Sequence, residues 1–183
     1  MSATTLPIPL RFELPGPEWG AVDPESWGVQ NASFLAVRRG LDEDYSPTIT
    51  VSGGWRNDST PLEEIADEAL AKLRAEGATE VELVQRRVTG SEHDQAVVQS
   101  VGCTVEVEGR RFDVRQAQVF RGFVDVRDPA RRVVVVHTLS CTYRQFEEMG
   151  REFQQFMATV EVVPDGQVDW PAADGEPHPL PPQ

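Results

Sequence analysis

The stretch "HTLSCTYRQFEEM", from His137 to Met149, sets a histidine, a serine, a cysteine and two glutamates within thirteen residues. Those are the residue types of nucleophilic catalysis, in which an imidazole activates a thiol or hydroxyl and a carboxylate orients the imidazole. The spacing argues against it. On a strand His137, Leu139 and Cys141 share one face, and at about 3.3 Å per residue the Cα atoms of His137 and Cys141 stand roughly 13 Å apart. A thiol and its base must come within hydrogen-bond reach. Beyond Cys141 the apolar period becomes helical, with Phe146, Met149, Phe153, Phe156, Met157 and Val160 on one stripe. Thr142 and Gln145 form a capping box at its start. Ser140 and Thr142 therefore serve a strand-to-helix junction, and no catalytic residue is assigned.

The other chemistry-bearing residues lead to no better site. Glu92, His93 and Asp94 are consecutive, and three neighbours on a rigid element cannot all face one ion, so they read as a polar hairpin loop rather than a metal centre. The last histidine, His178, lies in a proline-rich stretch near the C-terminal end. The serine-hydrolase elbow, zinc-protease, phosphate-loop and dinucleotide fingerprints are all absent from the sequence. "VSGGWRND" has neither the spacing nor the lysine of a phosphate loop, and "LDEDY" offers carboxylates to a cation but reads as a solvated loop. No metal and no cofactor is expected. Cys103 and Cys141 are too few for a disulfide framework and stand among apolar strand residues, as buried, reduced thiols do.

The elements that would position any site alternate along the chain. "LRFELP" and "ASFLAVRR" read as strands, and "PTITVSGGW" alternates with Ile49, Val51 and Trp55 on one face and Thr48, Thr50 and Ser52 on the other. In "TPLEEIADEALAKLRAEG", Thr60 is expected as N-cap, Pro61 as first helical residue, Glu63 as capping-box partner and Gly77 as the stop. Leu62, Ile65, Ala66, Ala69, Leu70 and Leu73 form its apolar stripe. Four strands follow, "TEVELVQRRVTG", "QAVVQSVGCTVEVE", "RFDVRQAQVFRGFVDV" and "RRVVVVHTLSC", with turns at Glu108–Gly109–Arg110 and Asp128–Pro129. The last is apolar on both faces through Val136, which places it mid-sheet with cover on each side. Of the tryptophans in "PEWG" and "PESWG", Trp19 is expected to plug the open end of the core, while Trp27 fits a plug and an exposed anchor equally.

Composition bounds the rest. A chain of 183 residues with 39% hydrophobic content fits one domain, expected over residues 10–163. Residues 1–9 read as a flexible arm. Residues 164–183, rich in proline and carboxylates, read as a disordered tail in which Trp170 is the one tryptophan. The net charge of −13 repels nucleic acid and anionic lipid. The arginine pairs at 38–39, 86–87, 110–111 and 131–132 read as solvated strand or hairpin ends. Neither a basic, apolar leader nor a run of about 18 apolar residues is present, so the chain is expected to be cytoplasmic and not to insert in a membrane.

The order of these elements carries a resemblance. "FELPGPEWG", then "PTITV", a capped helix, a long meander, and "VVVVHTLSC" feeding "YRQFEEMGREFQQFMATVEV" are together similar to the PsbP-like family. Within it the sequence most resembles actinobacterial LpqN/LpqT-type lipoproteins, and it is also similar to DcrB and the Eag chaperones. The lipoprotein signal and lipobox cysteine of that branch are absent from the sequence. The resemblance implies an α+β fold, an antiparallel sheet of about six to seven strands sandwiched by helices, and members that bind proteins rather than catalyse. Two functions are therefore carried forward. The first is a non-enzymatic, protein-binding or chaperone-like module, its partner a protein or a second copy of the chain, bound through Trp27 and the acidic loop Asp42, Glu43, Asp44 and Tyr45. The second is a small-molecule carrier or enzyme with a cavity between sheet and helix. A closed core favours the first, and a polar-lined cavity of about 300 Å³ or more favours the second.

Overall fold

Alternating apolar and polar residues become a sheet with two unlike faces. The computed structural model describes residues 6–41, 43–91, 94–124, 128 and 130–163. In chain order it contains β1 (Leu10–Arg11), β2 (Trp19–Val22), β3 (Phe34–Arg38), β4 (Thr48–Arg56) and α1 (Leu62–Ala75). There follow β5 (Thr79–Ser91), β6 (Asp94–Val107), β7 (Arg110–Val124), β8 (Arg132–Thr142), α2 (Phe146–Thr159) and β9 (Glu161–Val162). Seven strands form one antiparallel sheet in the order β2-β3-β4-β8-β7-β6-β5, and β1 pairs with β9 in a separate ribbon. The doubly apolar strand β8 occupies the centre.

The helices cover opposite faces. Residues Val133, Val135, Leu139 and Cys141 of β8 meet Met149, Phe153 and Phe156 of α2 in the larger core. Val134 and Val136, one residue out of phase, meet Leu62, Ile65 and Ala66 of α1 with Val97 and Phe120. A period-two strand buried on both sides must be apolar at consecutive positions, and the valine run supplies that. The β6–β7 connection is the expected tight turn, with Glu108 and Gly109 both at positive φ (51° and 78°), as a two-residue hairpin loop requires.

The helix ends divide. Ahead of α2 the expected Thr142–Gln145 pair forms, Thr142 N–H donating to Gln145 Oε1 at 2.9 Å and Gln145 N–H to Thr142 Oγ1 at 3.4 Å. It closes the preceding turn, and the helix begins one residue later with Gln145 as its capping residue and no side-chain cap. α1 ends as expected at Gly77 (φ 101°), where Ala78 N–H donates to Leu73 O at 3.0 Å and Gly77 N–H to Arg74 O at 3.2 Å. Its start differs. Pro61 is the capping residue and no side chain caps the helix. Thr60 is held away from that role, its carbonyl accepting from Arg132 and its N–H donating to Asp58 at 3.4 Å.

Trp19 opens the edge strand β2 with its ring buried, as the plug reading expects. Three further readings need correction. Trp55 does not join Ile49 and Val51 in the core. It is half exposed near the end of β4, with the Arg131 guanidinium 4.4 Å above its ring. Residues 6–9 are not a loose arm either: Leu6 is buried and Ile8 packs beside it. Glycine at position 53 makes room, since a Cβ there would lie 3.0 Å from Leu6 and 2.7 Å from the Val134 carbonyl oxygen. "LRFELP" is strand only over Leu10–Arg11, after which Phe12 turns in edge-on to Phe34 and Phe156 at 4.8 and 5.2 Å. The tail with Trp170, and Glu92 and His93, lie outside the described residues.

Candidate functional site

The opening stretch resolves into core. His137 and Cys141 face α2 in the interior, 1% and 0% exposed, and His137 lies edge-on to Phe156 at 6.0 Å. Burial pushes the Cys141 thiol up to about 12 and raises Cys103 as well, so neither supplies a thiolate near neutrality. Burial, with Arg121 nearby, lowers His137 to about 4. Its ring is neutral, and neither nitrogen has a hydrogen-bond partner among the described residues. Among those residues there is also no group of three or more His, Cys, Asp or Glu arranged to hold a metal ion.

The expected partner-binding residues are spread apart and largely engaged. Trp27 ends a short 3-10 turn (Glu25–Trp27) and is 50% exposed. Asp42 lies outside the described residues. Glu43 accepts from Gln145 Nε2 at 2.7 Å, and the same amide donates to Tyr45 O at 3.0 Å. Asp44 pairs with Arg110 at 2.6 Å, which lowers its carboxyl below the ordinary range. Tyr45 is half-buried, its hydroxyl 3.0 Å from Ser140 Oγ and its ring against Phe112. The loop is thus pinned to the start of α2, and an arginine offsets part of its charge.

A different site lies between α1 and the sheet. The strand registers place Thr50 opposite Thr138, Thr138 opposite Gln118, Gln118 opposite Gln99, and Gln99 opposite Arg86. This polar row crosses five strands on the α1 face. Gln99 is buried and fully engaged: Arg86 Nε donates to its Oε1 at 2.9 Å, and its Nε2 donates to Gln118 Oε1 at 2.7 Å and to Ala66 O of α1 at 3.1 Å. Gln118 Nε2 passes a further bond to Gln116 Oε1 at 2.8 Å, and Arg86 reaches Asp67 of α1 at 2.6 Å. Arg86 is therefore not the solvated strand end that its sequence suggests.

Beyond this network an open groove of about 700 Å³ lies between α1 and the sheet. Thr50, Ser52, Thr138, Gln116 and Gln118 form its floor. Ile65, Ala69 and Leu73 of α1, with Phe120 and Val136, make an apolar side, and the loop from Gly28 to Ala32 closes the other. The hydroxyls of Thr50, Ser52 and Thr138 make no hydrogen bond to another described residue. The charges at the rim are paired: Glu68 with Arg56 at 2.8 Å, and Lys72 with Glu76 at 3.7 Å. Hydrogen bonds from Arg56 lower the Glu68 carboxyl below its ordinary range and keep it ionised. The arrangement suits an uncharged ligand with one apolar and one hydrogen-bonding side.

No known family profile matches the sequence, and no curated protein does. Solved structures do match. LpqN of Mycobacterium tuberculosis, involved in cell envelope biogenesis, superposes with a TM-score of 0.58 at 12% identity, over 86% of each chain. Cyanobacterial PsbP from Synechocystis gives 0.50 at 12%, over 85% of this chain and 94% of that one. The chain has the PsbP-like fold. A Pseudomonas aeruginosa protein of unknown function, PA94, a putative regulator, gives 0.51 at 19%, over 72% of this chain and 82% of that one. At these identities the likeness is one of architecture alone. In PsbP-like terms, the polar row lies on the α1 face of the sandwich and the buried histidine on the α2 face.

The sequence did not single out the groove. Thr50, Gln99, Gln118 and Thr138 each sit at alternate positions of separate strands and look like ordinary solvent-facing residues. The signal available was that Thr48, Thr50 and Ser52 share a face, next to a central strand whose valine run gives way to Thr138 and Ser140.

Proposed function

We propose that this PsbP-like chain is a non-enzymatic binding module that holds an uncharged, amphipathic ligand in the groove between α1 and the sheet. The observation that carries this is the floor of Thr50, Ser52 and Thr138, whose hydroxyls bond to no other described residue, beneath a space of about 700 Å³ with an apolar side wall. That volume exceeds the roughly 300 Å³ at which ligand sites begin, so the groove is preferred to the acidic loop as the place of binding. The absence of a catalytic step is part of this proposal. It is supported by the raised thiols, the neutral partnerless histidine and the ion-paired rim carboxylates. The neighbours' roles in envelope biogenesis and putative regulation are compatible with a module that binds without reacting.

Titration with N-phenyl-1-naphthylamine, an uncharged amphipathic fluorophore, tests the reading. Saturable enhancement at one probe per chain is expected, and Leu73→Trp, which fills the apolar side of the groove, should abolish it while circular dichroism stays native. Binding that Leu73→Trp leaves untouched, or no saturable binding, would refute the proposal.

A further inference from the structure

Among the described residues β5 is the outermost strand of the sheet and pairs with β6 along one edge only. Bulges between Thr79 and Glu82 and between Leu83 and Gln85 kink the strand, and from Gln85 to Ser91 its register is regular and presents outward N–H and C=O groups. Natural sheets usually blunt so long an edge. Here the defence is partial. Arg74 donates to the Val81 carbonyl at 3.2 Å and occupies the beginning of the edge. Arg86, which could guard the middle, is turned under α1 onto Gln99 and Asp67. Of the nine large hydrophobic side chains that are exposed among the described residues, Leu83, Val84 and Val88 are on this one strand, so apolar exposure is concentrated there.

The charges along β5 are ordered. Glu80 and Glu82 precede Arg86 and Arg87, two of each sign, which makes the strand neutral within a chain of net charge −13. A second copy can approach this strand without the repulsion that the rest of the surface imposes. An acidic half followed by a basic half is self-complementary when two copies run antiparallel, whereas an in-register parallel pair sets like charges side by side.

We propose that β5 pairs antiparallel with β5 of a second copy of this chain, about a two-fold axis between Val84 and Gln85, joining two sheets into one. Glu82 then stands opposite the partner's Arg87, Leu83 opposite the partner's Arg86, and Val84 opposite the partner's Gln85. The faces agree. Glu82 is opposite Gly102 and Arg87 opposite Val98 on β6, so both project to the α2 side, while Leu83 and Arg86, opposite Val101 and Gln99, project to the α1 side. The register shift at Leu83/Gln85 leaves Val84 without a partner on β6, and the second copy covers its exposed side chain. This interface is independent of the groove and of any ligand there.

Sedimentation velocity of the full chain over a dilution series tests it. A dimer is expected, and Glu82→Arg or Arg87→Glu, each converting two attractive contacts into two repulsive ones, should raise its dissociation constant about tenfold or more. Glu82→Arg combined with Arg87→Glu exchanges the charges and should restore the dimer. Both residues are on the exposed edge, and circular dichroism checks that the variants are folded. A wild-type chain that is monomeric throughout, or a dimer insensitive to the single reversals, would overturn the proposal, as would failure of the double reversal to restore it.

Discussion

Gln99 and Gln118 face each other across β6 and β7, the carboxamide of the first donating to the second at 2.7 Å. Together they join Arg86, Ala66 of α1 and Gln116 into one network at the closed end of the groove. Gln99→Leu removes the acceptor of Arg86 and a donor to both Gln118 and Ala66, leaving buried polar atoms unpaired. Urea denaturation should show a loss of about 1–3 kcal/mol. Replacing both glutamines by leucine should cost less than the sum of the single changes, since residues of one network do not act additively.

His137 gives the fold a pH dependence of known sign. Its folded value of about 4 lies below the ordinary 6.5, so between those values the unfolded chain binds more protons than the folded one. The stability is complete above about pH 6.5 and is lost as pH falls toward 4, by up to about 3 kcal/mol. The lowered carboxyls of Asp44, Asp58 and Glu68 start from ordinary values of 3.8, 3.8 and 4.5, so their loss comes at the acid end of that window or below it. Denaturation midpoints measured from pH 7 to 5 should therefore fall in the wild type and stay nearly flat in His137→Leu.

The thiols should be silent in the native state. With Cys141 raised to about 12 and Cys103 raised by burial, a thiol-reactive dye at pH 8 should label neither until denaturant is added. Rapid native labelling of Cys141 would contradict the buried placement.

Glu152 of α2 accepts from Trp19 Nε1 at 2.5 Å and from Arg38 Nε at 3.1 Å, tying β2 and β3 to the helix. Arg38 is only 10% exposed at its side chain. Glu152→Ala leaves a largely buried guanidinium and an indole N–H unpaired, and should destabilise by about 2–4 kcal/mol. For a domain of this size that lowers the melting temperature by several degrees, measurable by differential scanning calorimetry.

The architecture was readable where burial imposes a period. The stripes of both helices, the doubly apolar β8, the Thr142–Gln145 box and the hairpin at Glu108–Gly109 each follow from local spacing, and each stands in the structure. The site was not readable in this way. Its floor draws Thr50, Thr138 and Gln118 from three strands whose adjacency depends on a crossover in strand order, and none of the three differs locally from a residue on a wet sheet face. The plug role of Trp19 was legible and its ring is buried, but the strand it opens was not, because an edge strand of four residues is too short for alternation to show. Thr60 misled because a competing long-range donor, Arg132, claims its carbonyl, which no local pattern reports.

The ribbon of β1 and β9 joins residues that lie 150 positions apart, with Arg11 bonded to Glu161. A ribosome extends a chain at about 5–20 residues per second, so β1 emerges on the order of ten seconds before its partner strand exists. Leu6, Leu10 and Phe12 must wait through that interval, because Phe153 and Phe156 are also made late. The α2 side of the sheet therefore closes only after α2 has been made, and the nascent chain carries an uncovered greasy surface until then. Elongation speed thus sets how long that surface is open to misassociation, and a pause ahead of α2 would lengthen that exposure.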